Sequence, residues 1–233
     1  MNTGKYIAIN ELIDAKENIS PLFPLELLTT PPHRFDFSKK NPALSNVNME
    51  RPETLAALID ETLKQQHKLW GYGGWGEDRF LYQASPLFKA GQEYRSIHLG
   101  IDIWLPEGTS LHAPFAGTVH SFQNNQNFLD YGPTIITEHR IGDTSFYILY
   151  GHLSTESLGK IRGGQIVRAG DEIATIGKMH ENGNWPSHVH LQLITDMGGK
   201  KGDFPGVAKP SEKDLYLKLC PNPESLLRPF LSA

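Results

Sequence analysis

Five side chains stand out for what their types and spacing can do. His98 and Asp102 lie four residues apart in His98-Leu99-Gly100-Ile101-Asp102, an otherwise apolar run. Imidazole and carboxylate both bind zinc at about 2 Å, and a catalytic zinc keeps three protein ligands and one open position. The pair reads as half of a metal site that still needs a third ligand. In a regular strand, residues four apart share a face but lie roughly 13 Å apart, too far to meet on one ion. The chain must therefore bend between them, and Gly100, midway, accepts irregular backbone or a close approach.

Three more histidines belong with this pair. His188-Val189-His190, followed by Leu191-Gln192-Leu193, alternates, so a strand would point both imidazoles to one face. Either one can reach the ion or its water. His152 stands in Tyr150-Gly151-His152-Leu153, just after the apolar run 146–150, where a polar ring at a strand end can serve a cleft. Taken singly, each motif has a plainer reading: a surface His beside an unrelated Asp, a solvated strand face, a hydrogen-bonded turn histidine. His33, His67, His112, His120, His139 and His180 take the plainer reading, with His112 and His120 expected at the surface.

The elements that position these residues are mostly strands. After Arg79 the chain becomes short runs of β-branched and aromatic residues separated by Gly, Pro, Asn and Asp, the rhythm of an antiparallel β domain. Strands are expected at 80–83, 99–104, 117–123, 134–139, 145–151, 172–176 and 188–195. The fold class is therefore mainly β, a β-rich α+β chain with a compact antiparallel sandwich core. One amphipathic helix is expected over 52–70, where Leu55, Leu58, Ile59, Leu63 and Leu69 recur at helical spacing, Glu53 suits the first turn and Gly71 a stop. The glycine-dense stretch 71–76 reads as a connector, with a lid or substrate wall as the alternative. Three segments result: an extension at 1–78, the β domain at 79–198, and a wrap at 199–233. The wrap should pack on the core with a short helix at 212–219, because Phe204, Val207, Leu215, Leu217, Leu219, Leu226, Leu227 and Phe230 need burial.

Composition excludes several classes. With 39% hydrophobic and 21% charged residues and no apolar run near the ~18 residues of a membrane span, no span is expected. A net charge of -4 without a dense Lys/Arg run argues against a nucleic-acid partner. Cys220 is the single cysteine, so any metal must be held by His and carboxylate. The first 20 residues lack the basic start and continuous apolar stretch of a secretory signal, and with the missing disulfides this leads us to expect a cytoplasmic location. Oligomeric state is not legible.

In these residues the chain resembles the lysostaphin-type, LytM-like zinc metallopeptidases. The resemblance rests on H-x-G-x-D at 98–102, Tyr-Gly-His-Leu at 150–153 and H-x-H at 188–190, in the family's order. It extends to Ala-Pro-Phe-Ala-Gly-Thr-Val at 113–119 and Gly-Asp-Glu-Ile-Ala-Thr-Ile-Gly at 170–177, and so covers roughly residues 95–195. It implies the family's β-sandwich, and a Zn2+ cofactor held by His98, Asp102 and His190. It also implies that His152 and His188 are the catalytic histidines that polarise water and stabilise the transition state. The implied activity is that of a zinc metalloendopeptidase acting on a peptide or peptidoglycan-derived substrate. Two positions depart from the family: Trp185 stands where a small, glycine-rich approach is common, and Gln192 where Glu is frequent. A second reading is a non-peptidase module of a cytoplasmic protein that keeps zinc for stability or ligand binding. Against it, a structural zinc is expected to close its fourth position with a protein ligand, whereas His152 and His188 are retained. A carrier module would place its modified lysine at Lys178, which lacks the Met-Lys-Met or Asp-Lys setting.

Overall fold

The structure, a computed structural model, describes residues 8–15, 19–28, 30–227 and 231. Among these, eight strands form one sheet in the order His33–Arg34, Gly71–Gly73, Ile101–Trp104, His188–Ile194, Thr144–Gly151, Gly132–Ile141, Gly117–Asn125 and Ile166–Val167. Every pairing is antiparallel except that of His33–Arg34 with Gly71–Gly73. Short two-stranded ladders pair Ser110–His112 with Glu172–Thr175, and Ile97–His98 with Val207–Ala208. The mainly β fold class is as expected. No helix among the described residues is long and apolar enough to cross a membrane.

The pleat decides which side chains meet. Along His188–Ile194 the odd residues Val189, Leu191 and Leu193 enter a core with Ile101, Ile103, Ile148 and Tyr150. The even residues His188, His190 and Gln192 therefore share the opposite face. Register then sets Asp102 beside His190 and Trp104 beside His188 on one side, and Gly151 beside His190 on the other. A second apolar cluster fills the space over that face. It joins Phe35, Phe37, Leu44, Leu55, Ile59, Tyr82 and Phe88 from the front of the chain to Trp104, Leu129, Trp185 and Val207.

Several expectations are corrected. The helix runs Glu53–Gln65, shorter than 52–70, and a further helix, Ala8–Asp14, precedes it. It ends because His67 turns into the left-handed region and the chain must deliver Trp70, fully buried, to the core; Leu69 stays exposed. Residues 80–83 are not a strand. Phe80 precedes, and 81–83 fall in, the 3-10 turn Leu81–Ala84, which runs into a second turn whose first residue is Pro86 and whose start is capped by the Ser85 hydroxyl. The glycine-dense stretch is more than a connector, since Gly71–Gly73 is a strand inside the sheet. In the wrap, Lys213–Leu219 is helical, and Phe204, Val207, Leu226 and Leu227 are buried, whereas Leu215 is exposed. Phe230 lies outside the described residues.

His139 is a buried core histidine outside the cluster of His98, His152, His188 and His190, with Nδ1–H donating to Ala116 O at 3.1 Å and Nε2 accepting from the Thr137 hydroxyl at 2.6 Å. Burial pushes it from 6.5 down to about 4. Between those values the unfolded chain takes up a proton that the folded one refuses, so stability falls as pH drops through that window. In urea unfolding of the metal-free protein, His139→Gln should remove part of that slope, at most about 1.4 kcal/mol per pH unit. An unchanged slope would show that His139 does not bear this cost.

Candidate metal centre

His98 reaches the site through the bend expected at Gly100. The strand Ile97–His98 breaks at Leu99 and Gly100 and resumes at Ile101–Trp104. A Cβ on Gly100 would come within 2.7 Å of the His190 ring and 2.6 Å of Leu191 O, so only glycine lets the two histidines close up. His152 follows the end of Thr144–Gly151 at φ +62°, a left-handed conformation costing a non-glycine residue roughly 1–2 kcal/mol. It is held by His152 N–H donating to Tyr131 O at 2.7 Å and His152 Nδ1–H donating to Asn182 O at 2.8 Å.

Three donor atoms converge. His98 Nε2 lies 3.0 Å from His190 Nδ1 and 3.2 Å from Asp102 Oδ1, and His190 Nδ1 lies 3.0 Å from the same Oδ1. All three residues are buried, and they form a His/Asp group able to hold a metal ion. The outer atoms settle the tautomers. His98 Nδ1–H donates to Gly74 O at 3.0 Å, and His190 Nε2–H donates to Gln192 Oε1 at 2.9 Å. Both inner nitrogens then carry lone pairs facing a carboxylate oxygen, an arrangement that only a cation makes favourable. A tetrahedral ion with ligands at about 2.0–2.2 Å holds them about 3.3–3.5 Å apart, so the triangle needs to open only slightly. The donor set fits a divalent metal.

The remaining two histidines stand beside the triangle, their rings 4.2 Å apart. His188 Nδ1–H donates to Pro186 O at 2.6 Å, which leaves its Nε2 lone pair free, 3.7 Å from Asp102 Oδ1. His152 Nε2 is free for the same reason. Burial lowers both, His152 well below the usual histidine range, so both rings are neutral near pH 7. Burial and then the Arg79 charge push His98 down to about 4. For Asp102, burial acts upward, but His98 and Arg79 outweigh it and hold the carboxyl well below its usual value. All five residues singled out from the sequence thus meet in one place. His33, His67, His112, His120, His139 and His180 do not join them; His112 and His120 are half-buried rather than fully at the surface, and His139 is a core histidine.

Sequence reasoning missed the group behind Asp102. Arg79, 3% exposed, donates from Nη1 to Asp102 Oδ2 at 2.5 Å and from Nε to Glu77 Oε2 at 2.8 Å. Glu77 O in turn accepts from His98 N–H at 2.9 Å. The segment Gly74 to Arg79 therefore backs two of the three donors. A lone arginine outside any motif gives no local signal of this; only the density of glycines before it marked the stretch. Around the site is a cavity of about 190 Å³, lined by the five residues together with Phe37, Tyr82, Phe88, Trp104 and Trp185, among others.

Residues 96–202 match the model of Peptidase family M23. Over this segment the resemblance to lysostaphin-type, LytM-like peptidases holds. No curated protein matches the chain. Among solved structures, similarity is found to a zinc-containing peptidase from Vibrio cholerae (23% identity, 42% of this chain and 27% of that chain, TM-score 0.35). A putative peptidase M23 from Pseudomonas aeruginosa is also similar (20% identity, 56% and 43%, TM-score 0.36). So is the catalytic domain of the antimicrobial peptidase lysostaphin from Staphylococcus simulans (18% identity, 65% and 93%, TM-score 0.39). The chain spans less than half of the first two.

Replacing Arg79 sets two effects against each other: the lost cation favours metal, and the loosened Asp102 disfavours it. Loss of a partner behind a ligand typically costs 10–100-fold in metal affinity, and Glu77 already offsets the arginine charge. Arg79→Met should therefore weaken metal binding by about tenfold or more in a chelator competition, with Arg79→Lys recovering part of it. Equal or tighter binding by Arg79→Met would show that its charge outweighs its hold on Asp102.

Proposed function

We propose that the chain is a zinc-dependent metallopeptidase in which His98, Asp102 and His190 hold the zinc, His152 and His188 are the catalytic histidines, and the substrate is a peptide of peptidoglycan type. The observation that carries this is the facing of two imidazole lone pairs and one carboxylate oxygen, with two further neutral histidines beside them. A zinc ion held there supplies a bound water with its pKa lowered from 15.7 to about 7 and a Lewis acid for the carbonyl oxygen.

The chain's own residues do the rest. His152 and His188 each present a free Nε2, because Asn182 O and Pro186 O occupy their Nδ1–H groups. A neutral imidazole in that state accepts the proton of the attacking water. Having accepted it, the ring becomes an Nε2–H donor that can hold the developing oxyanion or pass the proton to the leaving amine. Asp102 keeps one oxygen for the triangle because Arg79 holds the other. The binding-module alternative gains nothing from this geometry, since a purely structural site has no use for two free bases in its cavity.

The test is metal analysis followed by mass spectrometry of a peptide and muropeptide library incubated with zinc-loaded protein. Asp102→Ala should lose the metal. His152→Asn, chosen because Asn tolerates a positive φ, should keep about one zinc per chain and lose about 10²–10⁴-fold in hydrolysis. Metal bound with no peptide cleaved by the wild-type protein would overturn the peptidase reading, and loss of metal in His152→Asn would overturn the ligand set.

A further inference from the structure

The cavity is walled largely by residues outside the stretch that matches the family. Phe37, Leu55, Arg79, Leu81, Tyr82, Leu87 and Phe88 come before residue 96, and Phe204 to Val207 come after 202. Its aromatic members make a continuous run of ring contacts. Phe37 meets Trp104 at 4.8 Å between centroids, Trp104 stacks on His188 at 5.8 Å, and His188 meets Trp185 at 6.2 Å. Trp185 then meets Tyr82 at 5.9 Å, and Tyr82 meets Phe88 at 4.9 Å. The link between Trp185 and Tyr82 is the informative one. Tyr82 is also 6.5 Å from the His98 ring, and Trp185 is 6.1 Å from the His152 ring. The pair thus joins the donor side of the histidine cluster to its other side, and both rings are nearly fully buried.

A polymer strand cleaved in its middle needs an open path on both sides of the scissile bond. Here Tyr82 and Trp185, both lining the cavity, meet each other beside the histidines from opposite sides. The walls are apolar and aromatic, which favours a large apolar side chain. Among the lining residues, Arg95 and Asp130 are half-buried and Lys200 and Asp203 exposed, so both signs of charge stand nearer to solvent than the histidines. That mixture complements a ligand carrying both an ammonium and a carboxylate group.

We propose that the Tyr82–Trp185 bridge restricts this site to short peptides with free termini and a bulky apolar side chain, which enter end-on, rather than to strands of an intact polymer. The proposal rests on the metallopeptidase part of the reading above and puts a short apolar peptide in place of the peptidoglycan-type one. It also gives the tryptophan at 185 a role: the ring fills what a small residue would leave as a groove.

The probes are L-Ala-L-Phe, a ten-residue peptide containing the same Ala-Phe bond at its centre, and insoluble peptidoglycan. With zinc-loaded protein, kcat/KM for the dipeptide should exceed that for the ten-residue peptide by at least about tenfold, or about 1.4 kcal/mol in transition-state binding, and the insoluble polymer should not be cleaved. Trp185→Ala, or Tyr82→Leu where the first does not fold, should shift the ratio toward the longer peptide by about tenfold. Equal cleavage of both peptides by the wild-type protein, release of fragments from the polymer, or an unchanged ratio in the folded variant would overturn the proposal. If no peptide is hydrolysed, the peptidase reading fails, and the restriction is read instead from quenching of Trp104 and Trp185 fluorescence in the metal-free protein. A preference of about tenfold or more for the dipeptide upholds it; equal affinities, or no quenching by either peptide, overturn it.

Discussion

Everything at the centre of this protein depends on an electrostatic conflict: two imidazole lone pairs and a carboxylate oxygen point at one another from about 3 Å. Left to themselves the rings would turn their N–H groups inward and satisfy the carboxylate. They are prevented by acceptors placed behind them, Gly74 O for His98 and Gln192 Oε1 for His190. Gln192 has its own orientation fixed, since its amide nitrogen donates to Pro205 O at 3.1 Å and thereby keeps Oε1 toward the ring. The tautomers are thus a property of the fold and not of the imidazoles, which is how outer contacts ready a metal site.

Such an arrangement costs stability, and its upkeep explains why so much chain outside the β core is ordered around it. Arg79 is buried with Glu77 and Asp102 on either arm. Burying a charged trio gains little net stability, because desolvation offsets the Coulomb attraction. What the trio does provide is position, one oxygen of Asp102 tied back and the other presented. The desolvation must be offset elsewhere, and the apolar cluster built by Phe35, Phe37, Leu55, Ile59 and Phe88 against Trp104 and Trp185 lies where it can do so. The front segment is therefore at once the support of the donors and the wall of the cavity above them.

How much of this is legible in the sequence follows from the range of each interaction. His188 and His190 sharing a face is a local property of a strand, and so is the need for a bend at Gly100; both appear in the structure. The β-rich class is likewise carried by repeated short runs. Arg79 is not legible because its partner is 23 residues away and a single arginine has no period. Residues 80–83 mislead because Phe, Leu and Tyr suit a strand, while Ser85 and Pro86 set consecutive 3-10 turns instead. The stretch 71–76 reads as loose from its glycines, yet those residues are what let a backbone strand lie between His33–Arg34 and Ile101–Trp104 while Gly74 offers its carbonyl to a histidine. Glycine density signals close approach as readily as freedom, and only long-range partners distinguish the two.

The same logic bears on Trp185. Read along the chain, it is a departure from a pattern that favours small residues before H-x-H. In space it is the residue through which the loop before the strand His188–Ile194 touches the front segment, by way of Tyr82. Tyr82 in turn lies within 3.3 Å of Arg79 Nη1 through its hydroxyl. One side chain thus belongs to the aromatic run that bounds the cavity and, at one remove, to the chain of contacts that holds Asp102. The wall and the donor triangle are joined through contacts, so a change in what the cavity admits is also a change in how firmly the Asp102 oxygen is presented to the triangle.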